Sequence, residues 1–296
     1  MLTGYLAAEG FEDFIEKRCH PIATRLGRLI ISEGPPRDIP FVQNTWYDVQ
    51  KITFSSISDA ANQLKSLGKL WAFYPEKLVR KGQLISEKLS YFSPKKLVFP
   101  CSVPKSMLGS WVLKDENTLY ASAQCSSPFA HGEVFFHESK IPPSRAYLKL
   151  WEALTIAGDY PKKDEYCLEV GASPGGWTWV LDQLGTNVTA IDRAPLSKDI
   201  SFSSRMQYLK KDAFTLSPQD FPNVDWLFSD VICYPSKLLD WVQLWLRERP
   251  QLKAVCTIKF QGHEDYEILQ SFRQIPNSLV VHLFHNKHEM TWIHGL

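Results

Sequence analysis

The 296-residue sequence lacks three features that would assign it to a particular class of protein. Its six cysteines are spread singly, so the Cys-x-x-Cys pair of a zinc ribbon or a redox site is missing. No stretch approaches the roughly 18 apolar residues of a membrane span. The 33 Lys and Arg are offset by 32 Asp and Glu, which excludes a polybasic coat. We therefore expect a reduced, soluble, cytoplasmic protein without a metal or a membrane partner.

Composition and length predict a globular protein with two domains. Hydrophobic residues make up 44% of the chain, which is enough for a packed core. At about 150 residues per domain the length fits one large domain or two ordinary ones, and a Pro-rich segment after Lys140 favours a division into residues 1–140 and 141–296. The first part carries 17 Lys and Arg against 14 Asp and Glu, and the second carries 16 against 18. The first part is therefore mildly basic.

The first part mixes the patterns of strands and helices, which predicts an α+β domain. Strands are expected at Thr118–Gln124 and Glu133–Phe136, and helices at Gly10–Lys17 and Ser58–Leu67.

The second part alternates strands and helices regularly, which predicts an α/β, Rossmann-like domain with a doubly wound, mostly parallel sheet. The predicted strands are Tyr166–Val170, Val188–Ile191, Met206–Leu209, Trp226–Phe228, Ala254–Ile258 and Ser278–Phe284. The predicted helices are Arg145–Ile156, Trp177–Leu184, Lys237–Arg247 and Asp265–Gln274. No helix separates the apolar runs 278–284 and 290–293, so we expect the sheet to end in an antiparallel pair.

A glycine-rich turn, Gly-Ala-Ser-Pro-Gly-Gly at residues 171–176, joins the first of these strands to its helix. Such turns bind nucleotide-like ligands at the carboxyl ends of parallel strands. Asp192 ends the next strand, where a carboxylate can accept hydrogen bonds from ribose hydroxyls. Ser173 replaces the second glycine of the dinucleotide pattern, which favours S-adenosylmethionine over NAD. Asp212 follows the third strand, either as a ligand of the cofactor or as the N-cap of a helix.

Four polar residues stand where catalytic groups of such a sheet are expected. Asp230 and Lys259 follow apolar strand cores, and Glu289 opens the last apolar run. Lys149 lies in the helical stretch before the glycine turn. One such residue is usually a surface charge, but four that converge on one cleft would form a Lys-Asp-Lys-Glu set.

Several segments of the second part resemble the FtsJ-like (RrmJ-type) ribose 2′-O-methyltransferases, and within them the RlmM type, which modifies ribosomal RNA. These segments are SRAYLKLWEA, LEVGASPGGWTWVL, SDV, TIKF and HNKHEMTW. The resemblance covers about residues 125–296, and the opening GYLAAEGFEDFIEKR is also similar to the RlmM type. It implies an S-adenosylmethionine-dependent enzyme that methylates RNA.

The resemblance makes Lys149, Asp230, Lys259 and Glu289 a catalytic tetrad. A ribose 2′-hydroxyl must lose its proton as it attacks, and we expect the amine of Lys259 to accept that proton. Free lysine has a pKa near 10.4, which burial and a neighbouring ammonium such as that of Lys149 lower. Asp230 and Glu289 would hold the amine and the hydroxyl in place. The predicted cofactor-binding residues are Gly171, Ala172, Ser173, Pro174, Gly175, Gly176, Trp177, Asp192, Asp212, Ala213 and Asp230.

The expected partner is RNA, with ribosomal RNA as the substrate that the resemblance implies. We expect Lys69–Lys96 to contact phosphates, most Trp residues to be buried, and Tyr234 and His263 to stack on a base. The sequence after Asp230 lacks the two prolines of enzymes that methylate base amines. A methyltransferase for a hydroxyl outside RNA, an inactive RNA-binding relative and an NAD-linked oxidoreductase remain as alternatives.

Overall fold

A computed structural model describes residues 1–261 and 266–295, and the chain divides into two compact units. Unit 1 comprises residues 1–97 and 103–135. Unit 2 comprises residues 98–102 and the chain from Phe136 onward. Residues 98–102 belong to unit 2 because Phe99 stacks on Trp151 with ring centroids 5.2 Å apart. No helix of the described ranges is both long and apolar enough to cross a membrane.

Unit 1 contains two sheets and three helices. Its strands are β1 (Leu2–Ala7), β2 (Ile22–Leu26), β3 (Leu29–Glu33), β4 (Val42–Tyr47), β5 (Gln50–Thr53), β6 (Trp71–Phe73), β7 (Gly109–Asp115), β8 (Thr118–Ser122) and β9 (Gln124–Cys125). Its helices are α1 (Glu12–Glu16), α2 (Ile57–Leu67) and α3 (Val79–Ser86). The strand orders are β2-β3-β1-β4-β9 and β5-β8-β7-β6. All neighbours are antiparallel except β6 and β7.

Local sequence explains the start of helix α2. The Ser56 hydroxyl caps α2 by accepting a hydrogen bond from Asp59 N, while Ala60 and Leu64 face the core.

Glu133–Phe136 was expected to be a strand, and this prediction is wrong. A short 3-10 turn precedes it with positive φ at both His131 and Gly132, so the chain turns there and extends no sheet.

Unit 2 is a doubly wound α/β domain. Its elements in chain order are α4 (Tyr147–Ala157), β10 (Tyr166–Val170), α5 (Gly176–Gln183), β11 (Asn187–Asp192), β12 (Met206–Lys210), β13 (Trp226–Ser229), α6 (Pro235–Glu248), β14 (Lys253–Lys259), α7 (Ile268–Arg273), β15 (Ser278–Val281) and β16 (Glu289–His294). The strand order is β12-β11-β10-β13-β14-β16-β15. Pairing is parallel from β12 to β14, and β16 is antiparallel to both of its neighbours. The predicted fold class and the antiparallel end of the sheet are confirmed.

The topology of unit 2 creates one crevice. From β10 the chain continues to β11 and β12 on one side, and later to β13 and β14 on the other. The carboxyl ends of β10 and β13 therefore flank the point where strand order reverses, which is where open α/β sheets bind ligands. The strand β13 is buried throughout, because its sheet is covered on both faces.

Tryptophan contributes to the cores of both units. All ten Trp residues of the chain are buried, from Trp46, which is fully enclosed, to Trp179, which is 8% exposed. Their rings therefore stabilise packing and offer no stacking surface. The prediction that most Trp residues belong to the core is confirmed.

Candidate active site

The glycine turn follows β10 and brings its backbone close to the end of β13. Gly171 has φ +74°, and a Cβ at this position would lie only 2.7 Å from Val231 N. Gly175 has φ +111° and precedes α5. Because a side chain at residue 171 would collide with the backbone, glycine is required there. The result is an open floor beside Asp230.

An open cavity of about 530 Å³ lies over this floor. Of the predicted cofactor-binding residues, six contribute to its lining: Gly171, Ser173, Asp192, Asp212, Ala213 and Asp230. Side chains that the sequence did not single out complete the wall, among them Arg193, Phe214 and Lys237. Lys237 follows the strand-end residue Asp230 by seven positions, on the first turn of α6, and its ammonium lies 4.0 Å from the centre of the Phe214 ring.

Five of the predicted cofactor-binding residues do not line this cavity: Ala172, Pro174, Gly175, Gly176 and Trp177. Trp177 is 3% exposed, and its indole N–H donates to Ala146 O at 2.9 Å. The ring also meets Phe228 edge-on, so it fills the space between α5 and the sheet. A tryptophan directly after a glycine turn therefore serves the core of unit 2.

The two carboxylates at the ends of β11 and β12 accept hydrogen bonds from backbone amides of neighbouring turns. Asp192 accepts hydrogen bonds from Ser173 N at 3.0 Å and Ala194 N at 2.8 Å. Each carboxylate oxygen has two lone pairs, so Asp192 retains the capacity to accept from a ligand. Asp212 accepts from Phe214 N at 2.9 Å and is the N-cap of a short 3-10 turn. Asp212 therefore caps this turn and also faces the cavity.

Lys149, Asp230, Lys259 and Glu289 form one ionic cluster at the edge of the cavity. Lys149 Nζ lies 3.1 and 3.2 Å from the two carboxylate oxygens of Asp230 and 3.0 Å from Glu289 Oε1. Lys259 Nζ lies 2.9 Å from Asp230 Oδ1 and donates to the Asp230 carbonyl oxygen at 2.5 Å. The four side chains are only 11–19% exposed. The structure thus brings together four residues that are up to 140 positions apart in the chain.

Sheet register explains why these side chains meet. Asp230 follows β13, and Lys259 is the last residue of the adjacent parallel strand β14. Glu289 is the first residue of β16 and pairs directly with Lys259 across the antiparallel ladder. Residues paired in this way have their Cβ atoms about 5 Å apart. Lys149 reaches the same point from α4.

Charge pairing within the cluster outweighs the cost of burial. Burial alone would lower the pKa of Lys149, but the carboxylates of Asp230 and Glu289 raise it above the usual lysine value. Burial would likewise raise the pKa of Asp230, but Lys149 and Lys259 hold it below its usual range. Lys149 is therefore an ammonium and Asp230 a carboxylate at neutral pH.

Thr257 is a further member of this cluster that sequence reasoning missed. Its hydroxyl contacts Asp230 Oδ1 and Ser229 O, the latter at 3.0 Å. Thr257 lies two residues before Lys259 on β14, and side chains two apart on a strand point to the same face. The spacing of two residues from Lys259 was therefore the sequence pattern that could have predicted Thr257 as a neighbour of the cluster.

Of the two aromatic residues expected to stack on a base, one lies at the rim of the cavity. Tyr234 is 63% exposed and lines the cavity. His263 lies outside the described residues. Ile232, which is 73% exposed, stands beside Tyr234 at the same rim. The rim after β13 is therefore apolar and open.

Comparison with known proteins assigns the domain that carries this site. Residues 142–283 match the family model of the FtsJ-like methyltransferases. This segment is an FtsJ-like methyltransferase domain. It includes the glycine turn, the cavity and three members of the ionic cluster, while Glu289 follows six residues after its end.

Curated relatives extend this similarity of the FtsJ-like domain. Ribosomal RNA large subunit methyltransferase M of Halorhodospira halophila is 32% identical over 157 residues, which are 50% of this chain and 46% of the relative. The protein of the same name from Idiomarina loihiensis is 25% identical over 252 residues, or 79% of this chain and 65% of the relative. The chain thus spans about half the length of several relatives that it matches.

Proposed function

We propose that this chain is an S-adenosylmethionine-dependent RNA ribose 2′-O-methyltransferase that acts on ribosomal RNA. The observation that carries the proposal is the ionic cluster of Lys149, Asp230, Lys259 and Glu289, which lies beside the cavity of an FtsJ-like domain. Clustered, paired and buried charges at the edge of a cleft are typical of catalytic sites. We assign these four residues as the catalytic tetrad.

The cavity over the glycine turn has the donors and acceptors that S-adenosylmethionine requires. Gly171 keeps the floor open, Asp192 faces the cavity with spare acceptor capacity, and Asp212 with Ala213 lines the adjoining wall. Ser173 and Asp230 complete the set that would hold the cofactor. When bound, S-adenosylmethionine supplies a methyl group that a sulfonium makes electrophilic.

Lys259 is our candidate for the general base. A ribose 2′-hydroxyl is a weak nucleophile until its proton is removed, and a positioned amine can remove it. Lys259 Nζ lies 2.9 Å from Asp230 Oδ1, and Lys149 holds the same carboxylate from the other side of the cluster. Glu289 lies opposite Lys259 in the sheet and would hold the Lys149 ammonium beside the reacting hydroxyl. The chain's own residues thus orient the hydroxyl and take its proton, and alignment supplies most of the acceleration.

RNA is the substrate that the relatives support, since they are named ribosomal RNA methyltransferases. Unit 1 would recruit it. The segment Lys69–Lys96 contains seven Lys and Arg residues and two Glu residues, so it presents positive charge to phosphates. Tyr234 would stack on a base near the reacting ribose, because its ring is exposed at the rim of the cavity.

The test is methyl transfer to ribosomal RNA prepared from cells that lack this protein. We expect Lys259→Ala to lower kcat by about 10²- to 10⁴-fold, the contribution of a general base, while calorimetry still detects S-adenosylmethionine binding. Lys163→Ala is the matched control, because Lys163 is exposed at the opposite, amino end of β10. Retained activity in Lys259→Ala would refute the assignment of the base.

The same experiment separates the alternatives. Binding of NAD rather than S-adenosylmethionine would indicate an oxidoreductase. Binding of S-adenosylmethionine without methyl transfer to any RNA would indicate another hydroxyl substrate or an inactive relative. Mapping of the product then decides the position, since a ribose 2′-O-methyl group protects the neighbouring phosphodiester from alkaline cleavage and a base methyl group does not.

A further inference from the structure

Glu152 is a buried acidic residue of the FtsJ-like domain that the proposed mechanism does not use. It lies on α4 and is only 2% exposed. Acidic side chains are almost never buried to this extent unless they are paired. Its partners therefore show what its carboxylate does.

All of the partners of Glu152 in the described structure belong to one loop. Its Oε1 accepts a hydrogen bond from Phe284 N at 2.7 Å, and its Oε2 accepts from His285 N at 3.0 Å and from His285 Nδ1 at 2.6 Å. This loop, residues 282–288, joins β15 to β16. A single carboxylate on α4 thus holds the connection of the antiparallel pair.

Two further hydrogen bonds hold the loop, one within it and one to β16. His282 Nε2 donates to Lys287 O at 3.1 Å, and Asn286 Nδ2 donates to Thr291 Oγ1 at 3.0 Å. Burial lowers the pKa of His282 to about 4, so its ring is neutral at pH 7 and keeps this donor role. These bonds connect the two ends of the loop and attach its centre to β16, so the contact with Glu152 is linked to the start of that strand.

The end of this loop is a member of the ionic cluster. Glu289, the first residue of β16, follows His285 by four positions and receives Lys149 Nζ at 3.0 Å. Lys149 and Glu152 are three residues apart on α4, so they share one face of the helix. One helical turn thus contacts Glu289 directly through Lys149 and holds the backbone leading to it through Glu152.

We propose that Glu152 is a positioning residue that holds the loop 282–288 and thereby sets the carboxylate of Glu289 against Lys149. The proposal rests on the proposed function, because its consequence is the alignment of the reacting hydroxyl. Glu152 touches neither the cavity nor the reacting groups, and it acts through Glu289. A displacement of about 1 Å in such an arrangement costs about 10²-fold in rate.

The first test is Glu152→Gln in the full chain. Glutamine offers one acceptor oxygen and one donor group in place of two acceptor oxygens, so at least one backbone N–H loses its partner. We expect kcat to fall by about 10²-fold, with the KM for S-adenosylmethionine unchanged. The matched control is Glu165→Gln, because Glu165 likewise accepts from a backbone amide, Lys162 N, and from Trp226 Nε1, but at the amino end of the strands. A fall in kcat that is equal in both variants would refute the proposal.

A double-mutant cycle with Glu289→Gln distinguishes positioning from general support of the fold. If Glu152 acts through Glu289, Glu152→Gln lowers kcat only slightly further in a chain that already carries Glu289→Gln. Multiplicative losses in kcat would show that Glu152 acts by another route and would overturn the proposal. Wild-type kcat in Glu152→Gln would overturn it as well. Absence of methyl transfer by the wild-type chain would instead contradict the proposed function.

A milder variant keeps the test meaningful if Glu152→Gln does not fold. His285→Ala removes one of the three hydrogen bonds to Glu152 and leaves both backbone donors in place. We expect a smaller fall in kcat, with S-adenosylmethionine binding intact by calorimetry. Unchanged kcat in His285→Ala would refute the role.

Discussion

The two units of the chain differ in the polar residues that they bury. In unit 1 the buried polar side chains are the neutral ones of Thr3, Ser32, Asn44, Ser110 and Ser122. Among the described residues, every buried Lys, Asp or Glu belongs to unit 2. These buried ionisable residues are Lys149, Glu152, Glu169 and Asp182.

Unit 2 is therefore the part of the chain in which buried ionisable groups reduce the free energy of unfolding. Burial of a charge is unfavourable unless the charge is paired, and even a paired buried ion contributes little to stability compared with apolar packing. A domain that only needs to fold and present a surface can rely on hydroxyl and amide groups, as unit 1 does. Of the four, Lys149 belongs to the ionic cluster beside the cavity of unit 2, whereas Glu152, Glu169 and Asp182 do not line that cavity.

The largest expected effect on stability follows from removing the central cation of unit 2. Lys149→Met removes the ammonium that pairs with Glu289 and leaves Asp230 with Lys259 as its remaining cation. We expect the free energy of unfolding at pH 7 to fall by about 3–5 kcal/mol, as for other broken buried pairs. Urea denaturation followed by tryptophan fluorescence measures this change. Methyl transfer should be lost in any fraction that remains folded.

The pH dependence and a matched variant sharpen this prediction. In the wild-type chain the lowered pKa of Asp230 stabilises the fold at every pH above the ordinary Asp pKa of 3.8. This stabilisation is lost as the pH falls through the pKa that Asp230 has in the folded chain. Without Lys149 the carboxyl of Asp230 takes up a proton more readily, so the deficit of the variant should shrink toward acidic pH. Lys163→Met, the same substitution at an exposed position, should leave stability unchanged. Equal losses in the two variants would contradict a coupled cluster.

An intermediate effect is expected at Glu169, which lies within β10 and accepts a hydrogen bond from Thr178 Oγ1 at 2.6 Å. Burial raises the pKa of Glu169 to about 8 from an ordinary value of 4.5. The folded chain therefore retains a proton that the unfolded chain releases, and stability falls as the pH rises between these two values. Glu169→Gln keeps the acceptor for Thr178 and removes the titration. Between pH 6 and 8 the variant should gain about 2 kcal/mol relative to the wild type; parallel denaturation profiles would contradict this.

The sheet of unit 2 was predictable because each of its central strands is a short run of consecutive apolar residues. Tyr166–Val170 is a predicted strand that coincides with β10, and Trp226–Phe228 falls within β13, since strands buried on both faces are continuous apolar runs. Unit 1 was harder. Its strand β1 contains Gly4, whose place is set by the side chain of Trp46 on β4, only 3.1 Å from a Cβ built there. Such a contact depends on a distant residue.

The candidate site divides in the same way. Position at a strand end was visible for Asp230 and Lys259, because an apolar run stops before a polar residue. The pairing of Lys259 with Glu289 is a matter of register between β14 and β16, which no local pattern of the sequence signals. Glu152 itself looks like the polar side of a helix in the sequence. The catalytic and cofactor-binding roles of these residues stay predictions until variants are measured.

The smallest effect on stability, and a selective effect on RNA, is expected in unit 1. Lys95→Glu with Lys96→Glu reverses two exposed charges of the segment Lys69–Lys96 and breaks no buried contact. The free energy of unfolding should change by less than about 0.5 kcal/mol, as for other surface substitutions. The KM for RNA should rise while kcat stays the same, and the salt dependence of RNA binding should weaken by a slope of about 1 for each phosphate that the protein no longer neutralises. Lys17→Glu with Lys51→Glu makes the same change in charge at exposed positions outside the segment. If both double variants raise the KM equally, net charge rather than this segment recruits RNA, and the contrast between a catalytic unit 2 and a dedicated RNA-binding segment in unit 1 fails.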